Sequence, residues 1–167
     1  MRLRTAVSLL ALSLLPLAPC VRAETGEEGW LRYAPLPLQV QLQYSTIPHY
    51  LVATGHSAVA VSAATELALG LHSMLGETLR VSSTVPQEDS FILGTPLEIR
   101  HLLPTWKATA AVGGFSLSQF AAHGHHYWVI AGGDDRGELY GVFRVLEQIA
   151  QQMPLTPDAE SPQPCPE

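Results

Sequence analysis

Asp134, Asp135 and Glu138 are the carboxylates in this sequence with the most tempting spacing for acid–base chemistry. Hydrolysis by a carboxylate pair needs two acids, about 5 Å apart for retention or about 6.5–9.5 Å apart for inversion. These three, however, stand where a helix begins. Acids there accept from unpaired N–H groups and complement the helix dipole. Asp135 is therefore read as the helix cap, and Glu138, three residues on, as its capping-box partner. His123, His125 and His126 form a second cluster around Gly124. On a strand, His123 and His125 would share a face and could bind zinc or copper. No Cys or nearby acid completes a four-ligand set, so the trio is read as a solvated hairpin turn, with metal binding as the rival. Trp30, Arg32 and Tyr33 could make a sugar platform, a ring face beside a cation for a carboxylate. Aromatics with an Arg also anchor an arm to its own core or to a neighbouring domain, and packing is the reading preferred here. Trp106, beside Lys107, is weighed the same way. The Gly-rich turn Ala131-Gly132-Gly133-Asp134-Asp135 precedes a helix as phosphate loops do. It lacks the G-x-x-x-x-G-K-S/T pattern, and its two acids would repel phosphate. No Ser–His–Asp or Cys–His nucleophile set can be argued from sequence.

The elements that must position these residues follow from periodicity. Tyr50 to Thr54 reads as a short strand before Gly55. Ser57 then caps a helix in which Ala60, Ala64, Leu67, Leu71, Met74 and Leu75 recur at steps of three or four, with Gly76 as the stop. Gly70 costs this helix about 1 kcal/mol against Ala, which predicts close packing there. Phe91-Ile92-Leu93 is a second strand, and Leu97 to Leu103 a short helix ended near Pro104. Phe115 to Ser118 and His125 to Ala131 are strands joined by a hairpin turn that includes Gly124. Leu139, Val142, Phe143, Leu146 and Ile149 line one face of the last helix. This order predicts an α/β sandwich: a mixed sheet of about four or five strands with two main helices.

The chain has 167 residues, 47% of them apolar and 14% charged, with a net charge of −6. A nucleic-acid partner is not expected, because phosphate binding needs clustered positive charge. Two Cys exclude a disulfide framework. Arg2 and Arg4, the apolar stretch Val7 to Leu17 and the small-x-small Val21-Arg22-Ala23 have the layout of a secretory signal, with cleavage expected after Ala23 and export as the consequence. That stretch is too short to span a bilayer, which takes about 20 residues. No transmembrane segment is expected. Lipid attachment at Cys20 is disfavoured by Pro19 directly before it. Glu24 to Leu36 reads as an ordered arm. From 153 to 167, Pro154, Pro157, Pro162, Pro164 and Pro166 suggest a tail or linker.

Several segments together resemble a known family. Gly26-Glu27-Glu28-Gly29-Trp30-Leu31-Arg32-Tyr33 is similar to the start of the α-glucuronidases of glycoside hydrolase family 67. So are Gly55-His56-Ser57, Glu66-Leu67, Gly70-Leu71 and Met74-Leu75-Gly76. Leu93-Gly94-Thr95-Pro96 and Gly113-Gly114-Phe115 follow in register, and Arg136-Gly137-Glu138-Leu139-Tyr140-Gly141-Val142-Phe143 resembles the family's R-G-x-L-Y-G-V-F helix. The similarity covers about 24–152, the region of the family's non-catalytic N-terminal domain, a type also similar to the N-terminal domain of β-hexosaminidases. The resemblance implies removal of 4-O-methylglucuronic acid from xylo-oligosaccharides by an inverting mechanism, with no metal or organic cofactor. It implies a (β/α)8 barrel as partner domain, carrying the acid and the base. No catalytic residue is carried onto any position here. Two rival readings remain: a stand-alone carbohydrate-binding or interaction domain, and a metal-binding module built on the His cluster.

Overall fold

Short apolar runs with no polar face need cover on both sides, and Tyr50–Ala53 and Ser90–Gly94 are such runs. The computed structural model describes residues 33–160 apart from Ser83. Its strands are β1 (Tyr50–Ala53), β2 (Arg80–Ser82), β3 (Ser90–Gly94), β4 (Phe115–Ala122), β5 (His125–Gly132) and β6 (Asp158–Glu160). Its helices are α1 (Leu38–Gln41), continued by a 3-10 turn at Leu42–Tyr44, then α2 (Ala58–Leu75), α3 (Pro96–Leu102) and α4 (Asp135–Ala150).

The strands form one sheet in the order β2-β1-β3-β5-β4-β6. β1 runs parallel to β2 and β3, and β3 parallel to β5. β4 is antiparallel to both β5 and β6. Alternation divides the side chains between two cores. Leu51, Phe91, Leu93, Leu117 and Ile130 pack under α2 and α4. Val52, Ile92, Tyr127, Val129 and Ala131 face Ile99 of α3, with Leu103 and Trp106. The expected mixed α/β sheet with two main helices is observed. It has six strands because two three-residue edge strands, Arg-Val-Ser and Asp-Ala-Glu, join it. Both are too short and too polar to carry a strand pattern.

Local signals act as their chemistry requires. The Ser57 hydroxyl accepts the Ala60 N–H at 3.1 Å, and Gly76 closes α2 in the left-handed conformation. A Cβ on Gly70 would lie 2.6 Å from Leu146 Cδ2, so the glycine marks where α2 and α4 touch. Helix α2 is long and apolar enough to cross a membrane. Here its Leu67, Leu71 and Met74 are buried against the sheet. Between β4 and β5 the chain turns on His123 (φ 55°) and Gly124 (φ 82°). Two positive φ values in a two-residue loop make a type I′ turn, whose twist suits a hairpin.

Residues 153–160, expected as part of a tail, belong to the domain. The Tyr44 hydroxyl donates to the Met153 carbonyl at 2.7 Å, and the Thr156 N–H donates to Gln148 Oε1 at 2.9 Å. Arg144 pairs with Asp158 at the start of β6. The prolines mislead because an edge strand tolerates them beside it. Residues 161–167, the leader with Cys20, and the arm residues Trp30 and Arg32 lie outside the described residues.

Candidate functional site

In open α/β sheets the carboxyl ends of parallel strands are where ligands commonly bind. Here β1, β3 and β5 end at Thr54-Gly55-His56, Gly94-Thr95 and Gly132-Gly133-Asp134, and two glutamates converge on them. Glu98 stands one turn into α3. The Thr95 N–H and hydroxyl donate to its Oε2 at 2.9 and 2.8 Å, and the Thr54 hydroxyl donates to the same atom at 3.0 Å. Thr95 and Glu98 form a complete capping box, with Pro96 in the first turn. Burial alone would raise the Glu98 pKa. The donors from Thr95 and Thr54, with His56 nearby, hold it below the ordinary carboxylate value.

Glu138 has the opposite environment. It is 1% exposed, and neither carboxylate oxygen has a hydrogen-bond partner among the described residues. Glycine backbone closes over it: a Cβ on Gly55 would lie 3.2 Å from Glu138 Oε2, and one on Gly132 would collide with the Glu138 backbone. Burial, then the negative charges of Glu98, Asp135 and Asp134, pushes its pKa up to about 7.

This corrects the sequence reading of the helix start. The cap of α4 is Asp134, whose Oδ1 accepts the Gly137 N–H at 2.9 Å. Asp135 is the first helical residue, and Glu138 is not a capping-box partner. The spacing is one residue too long, and Glu138 lies on the inward face beside Gly141 and Val142. Its buried carboxylate was hidden from a periodicity argument because that argument places acids outward. Glu98 and Thr54 were not singled out at all. The Thr95-Pro96-Leu97-Glu98 capping signature was present as a signal.

The other candidates separate. His123 sits in the turn, while His125 and His126 point to opposite faces of β5. The three do not come together, and no group of three metal-ligating side chains occurs among the described residues. His123 and His125 instead line a shallow cleft of about 450 Å³ with Leu102, Leu103 and Tyr127. Of the Trp30–Arg32–Tyr33 platform, the described residue is Tyr33, which packs against the main core. Its hydroxyl donates to Glu66 Oε2 at 3.0 Å. Trp106 is buried, with its indole N–H 3.3 Å from the Ser118 hydroxyl.

Two carboxylates with pKa values pushed apart are the usual division into acid and base. Glu138 is closed off from solvent, at 1% exposure. Glu98 Oε2 is held by its capping box and by Thr54. The arrangement therefore ties three strand ends and two helix starts together.

Comparison with known proteins gives these features a context. The family described as "Glycosyl hydrolase family 67 N-terminus" matches residues 29–145. A probable alpha-glucuronidase A of Aspergillus fumigatus is 35% identical over 140 residues, covering 77% of this chain and 15% of that protein. An alpha-glucuronidase of Hypocrea jecorina is 32% identical over 159 residues, covering 86% of this chain and 18% of the relative. Among solved structures, a family GH115 4-O-methyl-alpha-glucuronidase aligns with 61% of this chain at a TM-score of 0.49 and 20% identity. The chain thus spans about one sixth of the length of the curated relatives it matches. The family match covers most of the chain, and the chain belongs to the glycosyl hydrolase family 67 N-terminal domain family.

Proposed function

We propose that this chain is the non-catalytic N-terminal domain of an exported α-glucuronidase-like glycoside hydrolase acting on the side chains of glucuronoxylan. The observation that carries this reading is the structural use of the acids at the strand ends, in a chain whose relatives are alpha-glucuronidases. Asp134 caps α4, Glu98 closes a capping box, and Glu138 is sealed under glycine backbone. A glycosidase needs two carboxyl groups facing one bond, with space between them for sugar and water. In this reading these acids serve the fold instead of such a site.

In this reading a (β/α)8 barrel supplies both carboxyl groups. One protonates the leaving oxygen, and the other activates water on the opposite face of the sugar. The domain packs on that barrel and helps shape one wall of its cleft. Residues 24–167 alone are expected to release no glucuronic acid from an aldouronic oligosaccharide. Turnover above the buffer rate that is lost on heat denaturation would overturn the non-catalytic reading. Export predicts Glu24 as the first residue of the protein recovered outside the cytoplasm. N-terminal sequencing that finds Met1 there would remove the signal-peptide part.

A further inference from the structure

A second region, towards the amino ends of the strands, has a different character. β6 pairs with Phe115, Ser116 and Leu117 of β4 and goes no further. Helix α4 ends at Ala150. Beyond those points the sheet face carries Gln119 and Trp128, cross-strand partners on β4 and β5. Gln119 is exposed and Trp128 half-buried. Gln43, Tyr44, Thr46 and Ile47 before β1, with Pro154 and Leu155 after α4, line a cleft with them. The Tyr44 hydroxyl donates to the Met153 carbonyl, which ties the segment before β1 to the one after α4. The cleft is open to solvent and has a volume of about 260 Å³.

We propose that this cleft binds a neutral pyranose unit of an oligosaccharide, with one face of the sugar against the Trp128 indole and its hydroxyls on Gln43, Gln119 and Thr46. The chemistry selects this class. A pyranose ring has an apolar C–H face and a rim of hydroxyls that both donate and accept. Carboxamides and a hydroxyl answer both roles at once, whereas a carboxylate or an ammonium answers one. The indole supplies a broad, rigid apolar area at small entropic cost. No lining residue is charged. A uronate or phosphate would lose its hydration there without a cation to replace it. An aliphatic ligand would bury the two amides without partners. The site therefore favours an uncharged backbone sugar over an acidic side-chain sugar.

This cleft needs no barrel, so its failure leaves the enzyme reading standing, and failure of that reading leaves the cleft standing. The test is a titration of the full chain with xylotetraose, cellotetraose and free glucuronate, followed by ¹⁵N–¹H NMR and tryptophan fluorescence. A shallow site of this size predicts a Kd of about 1 mM for a neutral tetrasaccharide. The shifts are expected at the Trp128 indole and the Gln43 and Gln119 carboxamides, with glucuronate at least about tenfold weaker, about 1.4 kcal/mol. Gln119→Ala and Gln43→Ala change exposed or rim side chains. Each is expected to weaken binding about fivefold or more with an unchanged melting temperature, whereas Trp128→Ala also loses packing. Absence of saturable shifts at about 10 mM, tenfold above that Kd, overturns the proposal. So does binding that both glutamine variants leave intact, or glucuronate binding as tightly as the neutral sugars.

Discussion

At the carboxyl ends of the parallel strands, polar groups are taken out of water; towards the amino ends they are left at its edge. Glu138 is 1% exposed with both oxygens unpartnered among the described residues, while Oε2 of the half-buried Glu98 beside it accepts from both threonines. Trp128 and Gln119 stand on the same sheet, where β6 and α4 no longer cover it. The family resemblance passes through the first region, in Gly55-His56-Ser57, Leu93-Gly94-Thr95-Pro96 and Arg136-Gly137-Glu138. That region's residues are accounted for by holding strand ends to helix starts. Around the cleft, Tyr44 and Trp128 also belong to the packing of the main core, whereas Gln43, Thr46 and Gln119 are exposed. A motif can thus mark architecture, while a surface capable of binding lies where no motif draws attention.

The largest expected effect tests the sealed carboxylate. The folded pKa of Glu138 is about 7 against an ordinary 4.5. The folded state therefore binds the proton more tightly than the unfolded chain. No cost exists below pH 4.5; it grows through the interval and is complete above pH 7. Its full size is roughly 3 kcal/mol. Denaturation of Glu138→Gln is expected to show a flatter stability profile from pH 5 to 8 than the parent, and a gain at pH 8. Parallel profiles for the two proteins would mean that Glu138 is solvated or paired, and the contrast between the two ends would collapse.

Next in size is the clamp around Glu98. Thr95→Ala removes the cap that accepts the Glu98 N–H and the hydroxyl donor to the carboxylate, and leaves the Thr95 backbone N–H donor in place. It is expected to cost about 1–2 kcal/mol, measured by urea unfolding. A third pair of variants decides the helix start. Asp134→Ala is expected to lose about 1 kcal/mol, and Asp135→Ala less than about 0.5 kcal/mol. The reverse order would restore Asp135 as the cap. The smallest effect belongs to the other end of the sheet. Gln119→Ala is expected to change stability by less than about 0.5 kcal/mol, because the side chain is exposed. A larger loss would show that the cleft is part of the core and would blur the comparison.

Much of this architecture was legible. Ser57, Gly76 and the three-to-four spacing between Ala60 and Leu75 defined α2 almost to its ends. Gly70 signalled a close approach on α2, and the structure supplies Leu146 as the neighbour. The turn at Gly124 was legible because a left-handed backbone favours glycine at such a point. The short strands β2 and β6 were not, since Arg-Val-Ser and Asp-Ala-Glu carry no apolar pattern and exist only by pairing with a neighbour. The prolines after Met153 pointed to a tail for the same reason: pairing with β4 is a long-range event.

Local chemistry was determined by the sequence itself: which residues cap, which turn, and which faces are apolar. These depend on neighbours a few positions away, so the spacing of residue types contains them. What Glu138 and Trp128 became depended on the tertiary structure alone. An acid one turn into a helix is a solvated charge or a buried one according to what packs above it, here the glycine backbone at Gly55 and Gly132. An aromatic on a strand is core or cleft according to where the covering helix stops, here Ala150. Burial and exposure are sums over residues distant in the chain, and no local pattern carries that sum.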